Sequence, residues 1–342
     1  MKTLLSVKDL SIGIHHSERG LMSAVEKISF DIHPGETVGL LGESGAGKSL
    51  TALSVMGLLG ETMQVTGGKI LFNDSTERSA EKSGENPGES SSVDLLTFSE
   101  NQMQTIRGKK ISMVFQEPFS SLNPLLKVGR QIEETLELHG EKDRKRNKSL
   151  VMKLAAKLEF SEAERVLESY PHQLSGGMCQ RVMIAMAIIA RPKLLIADEP
   201  TTALDKNTQD QIISLLKEIN RNFGTSILFI SHDLSLIKEI SSRLIVMYSG
   251  RILEEGGSGE IFHNPAHEYT KGLLRSIPNK ANKGKDLAAI PGKIPSIEEG
   301  RPGGCPFHPR CEKAAAVCAE EFPPEKVLSA DHKTRCILGD LQ

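Results

Sequence analysis

The stretch Gly42-Glu-Ser-Gly-Ala-Gly-Lys48-Ser49 constrains this 342-residue chain more than any other. It fits the pattern G-x-x-x-x-G-K-[ST] in the setting its mechanism requires: the apolar run 37–41 enters it and a helix-period segment, 48–56, leaves it. Gly42, Gly45 and Gly47 let successive backbone N–H groups converge on phosphate oxygens, and the helix that follows adds its positive N-terminus. Lys48 can neutralise the β- and γ-phosphates of a nucleotide, and the Ser49 hydroxyl can coordinate Mg²⁺. Glu43, Ser44, Ala46 and Leu50 complete the stretch expected to surround the phosphates.

The rest of the chain alternates in the same way. Short, continuous apolar runs at 37–41, 111–115, 194–197, 226–230 and 244–247 read as strands buried on both faces of a parallel sheet. Helix-period segments lie between them, including 176–189 and 208–220, so the fold class is α/β. Two runs before Gly35, at 5–14 and 25–32, alternate apolar and polar residues and suggest an antiparallel flank. The run 194–197 ends in Asp198 and Glu199. Phosphoryl transfer needs charge neutralisation and a group that orients the attacking water. Asp198 suits Mg²⁺, and Glu199 suits the general base.

Leu174-Ser175-Gly176-Gly177-Met178 stands before a long helical segment, where a hydroxyl and glycine N–H groups form an anion site. Here the chain resembles the ATP-binding-cassette (ABC) ATPases, with Met178 in place of the usual Gln of their signature. The resemblance covers about residues 4–262. It implies that two ATPase subunits pair head-to-tail and clamp ATP between one chain's glycine loop and the other's Ser175, Gly176 and Gly177. It also makes Gln116 the Q-loop residue that reaches Mg²⁺ or water, Ala203-Leu204-Asp205 the D-loop facing the opposite subunit, and His232 the switch histidine on the γ-phosphate. The family stacks an aromatic residue from near 13–23 on adenine. That stretch holds no Phe, Tyr or Trp here, leaving Met22, His15 or His16 as substitutes.

Ser120-Ser-Leu-Asn-Pro124, Tyr170-Pro-His-Gln173 and His263-Asn-Pro-Ala-His267-Glu268-Tyr269-Thr270 resemble the ATPase subunits of bacterial dipeptide, oligopeptide and nickel importers. The resemblance implies a P-loop NTPase core over residues 1–264, with an antiparallel β flank, a helical subdomain at about 117–190, and a C-terminal cysteine-bearing extension over 265–342. It further implies a paralogous ATPase subunit or a second copy, two membrane permeases and an extracytoplasmic binding protein. The expected substrates are dipeptides or oligopeptides, with nickel as the alternative. A soluble ABC ATPase of translation or DNA repair is the rival class. Translation factors carry two cassettes and repair members long coiled coils, whereas one glycine loop and no heptad run occur here.

Composition fits these expectations. With 42 Lys and Arg against 44 Asp and Glu, the chain is near neutral, which does not suit nucleic-acid binding as its main occupation. No window approaches the roughly 20 apolar residues that span a bilayer, and the start reads as a strand rather than a signal peptide. The expected location is peripheral, on the cytoplasmic face of the cell membrane. Residues 74–94, rich in Ser, Glu and Gly, read as a mobile surface insertion, the basic run 141–148 as a solvated loop or helix end, with a contact surface for an anionic partner as the alternative, and 280–304 as a linker. Cys179 is expected to be a small packing residue.

Four of the five cysteines, Cys305, Cys311, Cys318 and Cys336, fall in the last 38 residues with gaps of five, six and seventeen. These gaps are unlike the paired spacing of most structural zinc sites. Four thiolates can hold a [4Fe–4S] cluster, which the resemblance favours, with Arg310 and His308 nearby to offset its charge. Zinc and free thiols remain alternatives.

Overall fold

The computed structural model describes residues 2–73, 92–158, 160, 162–277 and 290–338. These form two compact units, one of residues 1–33, 37–98 and 231–342, the other of residues 34–36 and 99–230.

The first unit contains the antiparallel flank. Strand Leu5–His16 lies between Gly20–Ile32 and Met63–Phe72, and Val93–Asp94 extends the far side. Leu5, Val7, Leu10 and Ile12 face Ile28, Ile32, Ile70 and Phe72 in a core with almost no solvent access. The strict alternation breaks at bulges after Val7 and Leu10. Asp9 and Lys27 sit there at φ 47° and 46°, and their N–H groups donate to the hydroxyls of Ser29 and Ser11. Residues 74–91 of the expected insertion lie outside the described residues. The assignment of its last two residues is corrected: Val93 and Asp94 pair with Phe72 and Leu71. Val93 is a β-branched strand former, and the Asp94 carboxylate accepts the N–H groups of Ile70 and Leu96.

The first unit also holds strand Thr37–Leu41, parallel to Arg243–Tyr248. Antiparallel strands Arg251–Gly257, His332–Thr334 and Lys326–Ser329 follow outward. The hub of this end is Glu254, 1 % exposed, whose carboxylate accepts the N–H groups of Ala266 and His267 at 2.6 and 3.0 Å. It also faces His332 Nε2 at 2.7 Å. Chain positions 78 residues apart are thereby tied to one buried carboxylate.

In the second unit three parallel strands, Ile111–Val114, Leu194–Asp198 and Ser226–Ser231, pair Val114 with Ala197 and Asp198 with Ile230. All their residues are buried, which is why they read as unbroken apolar runs. Helices Val128–Leu138, Arg144–Lys157, Ala163–Leu167 and Gly176–Ile188 gather in the same unit. The basic run 141–148 proves to be a helix start, capped by Asp143, which accepts the N–H groups of Lys145 and Arg146. Among the described residues no helix is long and apolar enough to cross a membrane.

Glu254→Ala strands two backbone donors and a histidine in a buried site. It is expected to cost about 3–5 kcal/mol, read as a fall in the urea midpoint of the full-length chain.

Candidate functional site

In the first unit the glycine loop takes the shape its composition predicts. Gly45 and Gly47 adopt φ 82° and 97°, conformations strained for any side chain, and Gly47 caps helix Lys48–Met56. A Cβ on Gly42 would stand 2.3 Å from the Met247 carbonyl, so the loop presses on strand Arg243–Tyr248. Gly250 N–H donates to Ala46 O at 3.0 Å, and Thr51 Oγ1 to Gly47 O at 2.9 Å. Lys48 is 6 % exposed, and its ammonium donates to the carbonyls of Gly42 and Glu43 at 2.7 and 3.1 Å. The cation is therefore held at the loop, and the carbonyls of Gly42, Glu43, Ala46 and Gly47 all accept hydrogen bonds. His232 is exposed, just before helix Leu234–Ile240, which Asp233 caps.

The loop's surroundings include residues the sequence reading missed. Tyr269 Oη accepts the N–H of Glu43 at 3.0 Å, and Arg310 pairs with the Glu43 carboxylate at 2.8 Å. The expected role of Arg310 as a counter-charge for the tail cysteines is therefore corrected: its guanidinium is committed to the glycine loop. No spacing in the sequence relates positions 43, 269 and 310.

The hairpin of the flank pairs Ile14 with Met22 and His15 with the half-exposed Leu21. His16 Nε2 lies 3.9 Å from the Glu298 carboxylate, which leaves Met22 and His15 as the less encumbered of the three adenine candidates.

The second unit holds the acidic strand end and the signature turn. Asp198 and Glu199 are 5 % and 8 % exposed. Glu199 adopts φ 49°, a left-handed conformation that costs a non-glycine residue about 1–3 kcal/mol. Its N–H donates to Ile230 O at 3.0 Å, and Thr202 Oγ1 donates to its carboxylate at 3.0 Å. The carboxylate is thus oriented by a left-handed backbone and by the Thr202 hydroxyl, an arrangement compatible with a positioned base. Gln116 is exposed, two residues past the end of its strand, which stops at Val114 rather than at 115 as expected.

Ser175 caps helix Gly176–Ile188, its Oγ accepting the N–H of Met178 at 3.3 Å. The hydroxyl accepts in this bond, so its proton remains to be donated to an anion. Gly177 faces Thr208, and a Cβ on Gly177 would lie 2.5 Å from the Thr208 methyl. Asp205 caps helix Lys206–Phe223 and accepts both the hydroxyl (2.7 Å) and the N–H (3.1 Å) of Thr208, which hold its carboxyl below the usual range. The D-loop aspartate thereby fixes the side chain on which the signature glycine rests. Cys179 is fully buried, its thiol donates to Pro171 O, and burial pushes its pKa up to about 11, in keeping with a packing role.

Two of the four tail cysteines are joined through their backbones. Cys305 N–H donates to Cys318 O at 2.8 Å, and burial pushes the Cys305 thiol up to about 12, with repulsion from Cys336, Cys318 and Cys311 adding to the rise. Burial also raises Cys311 and Cys336. Among the described residues, however, no group of three or more His, Cys, Asp or Glu side chains is arranged to hold a metal ion. Neither the cluster nor the zinc alternative therefore gains geometric support from these side chains.

Gly177→Ala drives a methyl into Thr208 and is expected to destabilise the chain by about 1–3 kcal/mol in thermal or urea unfolding. In a Thr208→Ser background, which keeps the hydroxyl and removes the methyl, the same substitution should cost nothing or stabilise by up to about 1 kcal/mol, as alanine does in a helix.

Comparison with known proteins accounts for both parts of the chain. Residues 25–202 match the ABC transporter family, and residues 253–318 match the oligopeptide/dipeptide transporter C-terminal region. The chain is 43% identical to the oligopeptide transport ATP-binding protein AppD of Bacillus subtilis (strain 168), over 99% of this chain and 97% of that protein. It is 40% identical to the oligopeptide transport ATP-binding protein OppD of Escherichia coli (strain K12), over 95% and 91%. Among solved structures, the ATP-binding cassette MJ0796, a dimer in a post-hydrolysis state bound to ADP and Pi, superposes with a TM-score of 0.63 at 26% identity, over 74% of this chain and 98% of that one. CbiO1 of Clostridium perfringens, part of the ABC transporter complex cbiONQ, gives 0.61 at 25% identity, over 77% and 91%. With the glycine loop, the signature turn and the acidic strand end all in place, the chain belongs to the ABC transporter family, among the ATP-binding proteins that carry the oligopeptide/dipeptide transporter C-terminal region.

Proposed function

We propose that this chain is the ATP-hydrolysing subunit of a membrane importer of dipeptides or oligopeptides. The observation that carries the reading is the joining, in one chain, of a match to the ABC transporter family over residues 25–202 to one to the oligopeptide/dipeptide transporter C-terminal region over residues 253–318. The relatives compared above are named for oligopeptide transport, which favours peptides over nickel.

The roles follow the residues' chemistry. The glycine loop 42–50 and the ammonium of Lys48 would bind the triphosphate. Ser49 in the first unit, with Asp198 and Gln116 in the second, would be the candidate ligands of its Mg²⁺, which would supply charge neutralisation. Glu199 takes a proton from water as the water oxygen bonds to the γ-phosphorus. The bond from that phosphorus to the β–γ bridging oxygen breaks, giving ADP and phosphate. His232 stabilises the γ-phosphate. Ser175, Gly176 and Gly177 serve the nucleotide of a paired ATPase subunit, a paralogue or a second copy, and Asp205 supports that turn through Thr208.

Exposed apolar side chains follow Gln116 or precede it in the chain: Phe115 is 38% exposed, Phe119 51% and Leu125 82%. They support docking of two permeases on this face, and hence a peripheral position on the cytoplasmic side of the membrane, with an extracytoplasmic binding protein supplying the peptide. On this reading residues 1–264 are the nucleotide-binding domain, with a helical subdomain at about 117–190, and residues 265–342 are the extension.

The decisive variant is Glu199→Gln. It should bind MgATP within about threefold of the parent while losing at least about a hundredfold in hydrolysis and all peptide uptake, because water activation goes and phosphate binding stays. Parental turnover in that variant would refute the assignment.

For the tail, we propose a [4Fe–4S] cluster on Cys305, Cys311, Cys318 and Cys336 on the sequence pattern alone, since among the described residues these side chains are not arranged to hold a metal. Four thiolates are a sufficient ligand set for such a cluster, and burial raises the pKa of Cys305, Cys311 and Cys336 in the chain without metal. The cluster would supply the cationic iron that makes buried thiolates tenable. Chain purified without oxygen should then contain about four irons and four acid-labile sulfides per molecule; a metal-free preparation removes the cluster from the account.

A further inference from the structure

A carboxylate inside a phosphate-binding loop works against the loop, because a bare negative charge there repels the incoming triphosphate. Glu43 is such a residue, directly after Gly42. Its compensation comes from far along the chain. Arg310 Nη1 donates to Glu43 Oε2 at 2.8 Å and Nη2 donates to Oε1 at 3.2 Å, the two-pronged geometry of a strong guanidinium–carboxylate pair.

The guanidinium is fixed from behind. Nε donates to Pro291 O at 2.8 Å, Nη1 reaches Tyr248 Oη at 3.3 Å, and the charge lies 5.7 Å from the centre of the Tyr248 ring. The Arg310 side chain is 6% exposed and that of Glu43 33%, so the cation is built into the protein and the anion looks toward solvent. Tyr269 secures the same residue by a second route, its Oη accepting the Glu43 N–H at 3.0 Å. That ring is wedged at 4.7 Å against Tyr248 and 5.2 Å against Phe307.

Resting on the nucleotide reading above, we propose that Arg310 is a positioning residue of the nucleotide site. It cancels the charge of Glu43 and, with Tyr269, holds that residue in place, so that the C-terminal segment sets the loop's affinity for MgATP rather than the rate of bond cleavage.

The test uses the full-length chain, measuring Kd by equilibrium titration with MgATP and KM and kcat by steady-state hydrolysis. Arg310→Gln leaves Glu43 bare and should weaken Kd and raise KM about tenfold, with kcat within about twofold. Adding Glu43→Gln to that variant removes the bare charge and should restore affinity to within about threefold of the parent. The deficit of Arg310→Gln alone should shrink as salt is raised. Glu43→Gln by itself leaves an uncancelled cation beside the phosphates and should bind MgATP as tightly as the parent or more tightly. If Arg310→Gln does not fold, this last variant decides: weaker binding overturns the proposal. So does unchanged affinity in a folded Arg310→Gln chain, a double variant as weak as Arg310→Gln, or a fall in kcat at constant KM. A parent chain that fails to bind MgATP overturns the nucleotide reading itself, and this proposal with it, in an arm separate from the variants.

Discussion

A loop that binds a polyanion through its own amides has few side chains with which to hold itself, so its shape must come from what it is packed against. In this chain Gly42 rests on the Met247 carbonyl with no room for a Cβ, Ala46 O accepts from Gly250, and the Lys48 ammonium bridges two loop carbonyls. Each contact fixes loop backbone or the Lys48 ammonium against a neighbour, so the loop's shape is set before any phosphate arrives. The glycines permit this geometry, but strand Arg243–Tyr248 and the turn after it impose it.

The same logic operates at the acidic strand end. Glu199 is held in a left-handed backbone conformation, and its carboxylate takes a hydroxyl bond from Thr202. Strain of this kind persists only where neighbours over-determine it, here the Ile230 carbonyl that receives the Glu199 N–H. Around the signature turn, Asp205 grips Thr208 and Thr208 meets Gly177. Two short motifs that look independent in the chain are thereby one mechanical element.

The fold was legible where residues must be buried on both faces or bent through glycine. The strand Thr37–Leu41 and helix Lys48–Met56 appear with the bounds that apolar run and glycine loop imply, and the other central strands differ by one or two residues at their ends. Less visible were strands Met63–Phe72 and Arg251–Gly257, where glycine and charge interrupt the pattern, and Lys326–Ser329 and His332–Thr334, too short for periodicity to register. Bulges at Asp9 and Lys27 could not be read at all, since they arise from pairing with neighbours.

By itself the sequence determined the α/β class, the phosphate-gripping loop, the acidic pair and the signature turn, because each depends on residue types a few positions apart and on local backbone physics. Only the tertiary structure decided that Glu43 is neutralised by Arg310, that Tyr269 anchors the same residue, that Glu254 binds the chain ends of its sheet, and that the backbone of Cys305 meets that of Cys318. Those partners lie tens to hundreds of positions apart, and which carboxylate a buried cation meets depends on how the chain returns through space, not on any spacing along it.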